Sequence, residues 1–136
     1  MAVKSIKEQQ PNRLKNQLEI FLQEVGIMAR LRHPNVVQFL GVSLQNSFFC
    51  ILTEYMAGGT LFAAMREPTW KSDSERRFFK IACDICKGMN YLHVTAGVIH
   101  RDLTSKNVLL DSIGTAKIAD FGRERRRRKR KSFLCF

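Results

Sequence analysis

The chain opens with a short apolar run, "MAVKSI" (residues 1–6), that reads as a strand. After a polar stretch and Pro11, the residues Leu14, Leu18, Phe21, Leu22, Val25 and Met28 recur every three or four positions. That spacing puts them on one face of an amphipathic helix, expected to run through "LRHPN" until Pro34 stops it. Next, "VVQFLGVSL" (36–44) and "SFFCILTEYM" (47–56) are runs rich in β-branched and aromatic residues, separated by Gln45 and Asn46. They predict two antiparallel strands joined by a short turn. "AGGT" (57–60) breaks the pattern, Leu61 to Met65 suits a short helix, and Pro68 ends it. From Ser72 or Asp73 a second long helix carries Phe78, Ile81, Ala82, Ile85, Met89 and Leu92 on one face, and that stripe is expected to be core. Three short strand-like pieces follow, in "GVIHRDL", "NVLLD" and "AKIADFG", and Gly114 suits the turn between the last two.

The order of these elements predicts an α+β architecture. Strands with one helix come first, a glycine-containing break follows, and then a helix leads into polar loops, which implies two lobes with a cleft between them. No internal repeat is present. A length of 136 residues suits one domain or part of one, and 45% hydrophobic content is that of a globular chain.

Charge changes the picture only at the end. The chain carries +11, but "RERRRRKRK" (123–131) holds eight bases and one acid, so seven of those charges belong to the tail and the body carries about +4. Four cysteines stand at 50, 83, 86 and 135. Cys83 and Cys86 form a C-x-x-C within a helical pattern, with no second pair to complete a zinc site, so structural thiols are the expectation. No secretory segment and no apolar run of membrane-spanning length occurs. A reducing, cytoplasmic or nuclear setting fits.

The candidate chemistry lies in the late loops. Asp102 and Asn107 flank a turn, and Asp120 ends a later strand. Two carboxylates and an amide suit Mg²⁺, a hard cation that often shares its ligands with phosphate. One carboxylate could instead accept a proton from an attacking hydroxyl. Each residue alone is an ordinary turn residue, so their joint spacing carries the argument.

At that spacing, "HRDLTSKN" and "DFG" resemble the catalytic and metal-binding loops of the eukaryotic protein kinases. Upstream, "AVK" (2–4) resembles the third-strand lysine motif. "FLQEVGIMARLRHPNVVQFLGV" (21–42) is similar to the helix bearing the partner glutamate and the strand after it. "ILTEYMAGGTL" resembles the hinge, and "ICKGMNYLH" the helix before the catalytic loop. The resemblance spans residues 1–122 and implies a partial two-lobed kinase fold, with 1–53 an incomplete small lobe and 54–122 the hinge and start of the large lobe. Residues 123–136 form a basic tail, expected to be disordered.

The resemblance also implies roles. Lys4 contacts the α and β phosphates of ATP, oriented by Glu24. Asp102 is the catalytic base, while Asn107 and Asp120 hold Mg²⁺. Thr53 is the gatekeeper, the backbones of Glu54 and Met56 hydrogen-bond adenine, and Ala2 and Leu109 sandwich its ring. Lys106 helps neutralise the γ-phosphate during transfer, and His100 serves loop geometry rather than proton transfer. "LRHPNVVQFLG" and Lys106, in place of a lysine at Thr104, point to the tyrosine-kinase-like group. The acceptor is then a protein Ser or Thr hydroxyl, with Tyr as an alternative.

The departures from the family pattern set further expectations. No G-x-G-x-x-G occurs anywhere in the sequence, and "RERRRRKRKSFLCF" stands where the resemblance would place an activation segment. The expected state is a domain truncated at both ends, poorly stable and weakly active or inactive alone. At ~25 cal/mol per Å2, a few hundred Å2 of uncovered apolar surface forfeits several kcal/mol. Three readings suit the tail: a segment that binds nucleic acid or importin, a contact for acidic membranes, or translated sequence foreign to the domain, the last being favoured by its abrupt start. The alternative function is a non-catalytic interaction fragment binding a partner or nucleic acid through this tail.

Overall fold

The computed structural model describes residues 2–6, 11–45 and 48–120. Two three-stranded antiparallel sheets organise it. In the first, β1 (Ala2–Ile6) and β2 (Phe39–Gln45) flank the central β3 (Phe48–Thr53). In the second, β4 (Gly59–Thr60), β5 (Val108–Leu110) and β6 (Ala116–Ile118) lie in chain order. The helices are α1 (Pro11–Met28), α2 (Leu61–Ala64) and α3 (Ser74–Asn90), with a 3-10 turn over Pro68–Asp73 and a π-helical turn over Tyr91–Thr95. This is the α+β arrangement expected from the sequence, a small sheet with one helix followed by the start of a helical lobe.

Several boundaries differ from the sequence expectation, each for a local reason. Helix α1 ends at Met28, six residues short of Pro34. The last turn tightens as Arg30 and Leu31 donate backbone N–H bonds to Ile27 and Met28, and the Arg32 guanidinium takes the Ala29 and Leu31 carbonyls. Side chains thus satisfy acceptors that a continuing helix would have used. Strand β2 begins at Phe39 rather than Val36 because 35–37 pairs elsewhere. Val37 N–H donates to Ile118 O, and Ile118 N–H to Asn35 O, stitching this segment alongside β6. A bulge at Leu40, 56% exposed, shifts the register between Phe39 and Gly41. Strand β3 stops at Thr53, so Glu54 to Met56 are linker rather than strand.

"AGGT" also supplies more than a break: Gly59 and Thr60 pair with Leu110 and Leu109. Thr60 then caps α2, its hydroxyl accepting from Ala63 N–H at 3.1 Å. Pro68 opens the 3-10 turn, where its missing N–H costs nothing. After β5, Asp111 Oδ1 accepts from Ile113 and Thr115 N–H while Gly114 takes a φ of 76°. Burial pushes the Asp111 carboxyl up, but those two donors and nearby Lys117 outweigh it and hold it below its ordinary value.

One hydrophobic cluster spans both sheets: Phe21 and Met28 from α1, Leu31 and Val36, Ile51 from β3, Leu92 and Ile118. A second joins Leu61, Ile81, Val108, Leu110 and Ala116 beneath α3. Of the α3 stripe, Ile81 and Leu92 are buried, but Phe78 is 64% exposed, contrary to its expected place in the core. Its neighbour Phe79 is 66% exposed, and the two rings meet edge to face. Leu22, placed in the α1 stripe, is likewise 53% exposed, because it lies at the margin of the arc that Phe21, Val25 and Met28 turn inward. No described helix is long and apolar enough to cross a membrane.

Candidate active site

The loop that carries Asp102 is held by His100. Its ring is 2% exposed, and Nδ1 accepts the Asp102 backbone N–H at 3.3 Å. With Nδ1 accepting, the proton sits on Nε2, which lies 2.9 Å from Ala119 O. The imidazole therefore ties the Asp102 backbone to the residue just before Asp120, the loop-geometry role expected of it.

Asn107 closes the loop from the other side. Its Nδ2 donates to Asp102 O at 2.7 Å and to Asp102 Oδ2 at 3.3 Å. Its backbone N–H donates to Thr104 O, and its carbonyl accepts from Ala119 N–H. Asp102, Asn107 and Asp120 are thus tied into one unit by bonds through residues 100, 107 and 119. Two non-glycine residues here have left-handed backbones, Arg101 at φ 66° and Asp120 at φ 57°. Such conformations cost of order 1–3 kcal/mol and persist where surrounding structure dictates them. Asp102 and Asp120 are both exposed at the surface.

A cavity of about 220 Å3 lies between the sheets, lined by Glu24 and Met28 from α1, Val37, Ile51 and Thr53 on the small-sheet side, and Leu109, Ala119 and Asp120 on the other. Four residues singled out from the sequence, Glu24, Thr53, Leu109 and Asp120, meet here. They come from four separate segments. Ala2 and Lys4 sit in β1 directly opposite Thr53 and Ile51, two residues of the cavity wall. Their side chains lie outside the described part of the structure, as do Phe121, Gly122 and the basic run from 123.

The linker after Thr53 is anchored by its first residue. Glu54 Oε1 accepts the Gln38 backbone N–H at 2.7 Å, and Oε2 pairs with Lys117 Nζ at 2.7 Å. The Glu54 N–H is already spent on Gln38 O, while its carbonyl accepts from Thr53 Oγ1 at 3.3 Å. Met56 is buried, and its carbonyl accepts from Gly59 N–H. It does not line the cavity, and neither do Asp102, Asn107 and Lys106. The Lys106 ammonium lies over the Phe62 ring, 5.1 Å from its centroid.

Sequence reasoning passed over Met28, Val37, Ile51 and Ala119 as cavity walls, because an apolar strand run does not disclose which face meets a cleft. It also missed Lys117, whose link to Glu54 spans 63 positions. The exposed Cys83 and Cys86 lie on α3, and Cys50 is half-buried. Among the described residues no group of three or more His, Cys, Asp or Glu side chains gathers to hold a metal ion. An Asn–Asp pair completed by water and phosphate oxygens is a different donor set, and one that suits Mg²⁺. Asn107 fits it: with its amide nitrogen turned to Asp102, the amide oxygen is the atom left for a cation.

Comparison with known proteins places the chain in a family. Residues 1–133 match the family described as protein tyrosine and serine/threonine kinase. The chain is 45% identical over 121 residues to serine/threonine-protein kinase STY46 of Arabidopsis thaliana, a match covering 87% of this chain and 20% of that protein. It is 45% identical over 113 residues to serine/threonine-protein kinase TNNI3K of Mus musculus, covering 82% of this chain and 13% of that one. Serine/threonine-protein kinase CTR1 of Arabidopsis thaliana is 45% identical over 107 residues, 77% of this chain and 13% of its own length. The chain thus spans a fifth or less of these three relatives. With ordered motifs, partial fold and matched span in agreement, the chain belongs to the protein tyrosine and serine/threonine kinase family, in its tyrosine-kinase-like group.

Proposed function

We propose that this chain carries the adenine-binding wall and catalytic loop of a kinase that transfers the γ-phosphate of ATP to a protein Ser or Thr hydroxyl. One observation carries the reading: Glu24, Thr53, Leu109 and Asp120 line a single cavity. That cavity is smaller than a whole-ligand site, usually 300–1,000 Å3, so it would take one ring system and leave the phosphates outside. Leu109 and Val37 would contact the adenine face, with Ala2 over it from β1. The Glu54 carbonyl would accept from the adenine amine and the Met56 N–H would donate to its ring. Thr53, small at the back wall, would leave room behind.

Lys4 would hold the α and β phosphates with Glu24 orienting it, and Asp120 stands at the same wall for the phosphate end. Asn107 and Asp120 would hold Mg²⁺, which when bound neutralises phosphate charge. Asp102, fixed through His100 and Asn107, would take the proton from the acceptor hydroxyl as it attacks. Lys106 would add positive charge where the transferred group becomes anionic. The serine/threonine kinase names of the relatives support the acceptor class. No observation among the described residues favours the alternative, an interaction fragment acting through its basic run on nucleic acid or importin.

The test is phosphoryl transfer from labelled ATP to a mixed protein substrate by this protein. Transfer that Asp102→Asn abolishes, with ATP binding retained, is the expected outcome. Equal transfer by the Asp102→Asn protein would exclude the assignment of the base.

A further inference from the structure

Helix α2 packs its first turn against the catalytic loop. Phe62 N–H donates to Ser105 O at 2.9 Å, which fixes the Phe62 ring beside residue 106. Two cations then lie over that ring: Arg66, one helical turn on, with its guanidinium carbon 4.1 Å from the centroid, and Lys106 with its ammonium at 5.1 Å. Both distances lie within the range of a cation–π attraction. The ring thus draws together two like charges that would otherwise separate.

Among the described residues no carboxylate pairs with either of them. The ion pairs among the described residues include Lys80–Asp84 and Lys117–Glu54, and neither Arg66 nor Lys106 takes part in one there. Both side chains are exposed. Arg66 stands just past the end of α2, and Lys106 one residue before Asn107, on the loop that carries Asp102. A cation pair that is solvent-facing, held by an aromatic ring and lacking an anion is a site for one.

We infer that Arg66 and Lys106, gathered on Phe62, select protein substrates bearing an anionic side chain close to the acceptor hydroxyl. The inference rests on the kinase reading above and adds the substrate class to it. The ligand chemistry is a carboxylate or a phosphate monoester on the substrate chain. Arg66 would bind it through its planar fork and Lys106 as a point charge. Phe62 is a positioning residue in this account, since it acts through the two cations.

The experiment is fluorescence anisotropy on the full chain with short labelled peptides, each with one central serine flanked by alanine, glutamate, phosphoserine or lysine. Glutamate or phosphoserine peptides are expected to bind about tenfold more tightly than the alanine peptide, the range of one charge-assisted contact, with the lysine peptide weakest. Preference for both anions assigns the selection to charge alone, and preference for phosphoserine only assigns it to the phosphate dianion. Arg66→Gln is expected to remove most of the preference. Phe62→Leu, which keeps an apolar side chain but releases both cations, is expected to reduce it, with thermal melts confirming that each variant folds. Equal binding of all four peptides, or a preference unchanged in folded Arg66→Gln and Phe62→Leu proteins, would overturn the inference. Titration of Mg-ATP on the same wild-type sample separates the two layers, because its failure contradicts the kinase reading whatever the peptides do.

Discussion

Gly88 sits where α3 crosses the Asn35 segment. A Cβ there would lie 2.5 Å from Asn35 O and 2.8 Å from Ile118 Cδ1, so only glycine permits the approach. Gly88→Ala is expected to destabilise the fold by about 1–3 kcal/mol in chemical denaturation, the usual cost of overpacking. His33 gives the residue scale its pH dependence. Burial, with Lys87 adding repulsion, lowers its pKa below the ordinary 6.5, while Nδ1 accepts from Asn35 N–H and the ring stacks on Tyr91 at 4.8 Å. The unfolded chain therefore binds the proton more readily than the folded one. This contribution is complete above pH 6.5 and is lost as pH falls through that value toward the folded pKa, so the melting temperature should fall as the pH drops below 6.5. His33→Gln should flatten that part of the profile. At the cavity, Thr53→Met would fill the rear wall, and compounds reaching behind adenine should bind about tenfold more weakly. Unchanged affinity would move Thr53 off that wall.

Among the elements, the linker after β3 and strand β6 are joined by Glu54 and Lys117. Their side chains are 26% and 17% exposed, which sets this pair apart from a solvated surface contact. A double-mutant cycle with Glu54→Gln and Lys117→Met should give a coupling of about 0.5–1 kcal/mol. Zero coupling would mean the contact contributes nothing to joining the lobes. How much of this was legible varies by element. The α2 cap and the Gly114 turn follow from residues adjacent in sequence, and so do Asp102, Asn107 and Asp120, whose meaning lies in their spacing. The Asn35–Val37 stitch to β6 was not legible, because "VVQFLGVSL" reads as one apolar run and only tertiary pairing divides it at Phe39. The end of α1 at Met28 depends on arginine side chains taking carbonyls, a choice that periodicity does not record.

At the scale of the described molecule, one core cluster runs from α1 through β3 to Leu92 and Ile118, so the cavity walls and the loop carrying Asp102 share a foundation. Against it, Phe78 and Phe79 present a paired aromatic patch on α3. Such surface drives association. Sedimentation of the 136-residue chain should show concentration-dependent self-association that a Phe78→Glu, Phe79→Lys double variant reduces without lowering its melting temperature. The central claim is that the cavity between the two sheets receives the adenine end of Mg-ATP. Its most direct test is a titration of the chain with a fluorescent ATP analogue, with and without Mg²⁺, repeated on Leu109→Asp and Asp120→Asn. The account predicts saturable binding that adenosine competes away, loss of that binding in Leu109→Asp, and loss of the Mg²⁺ dependence in Asp120→Asn. Binding that adenosine does not displace, or that both variants leave untouched, would contradict it.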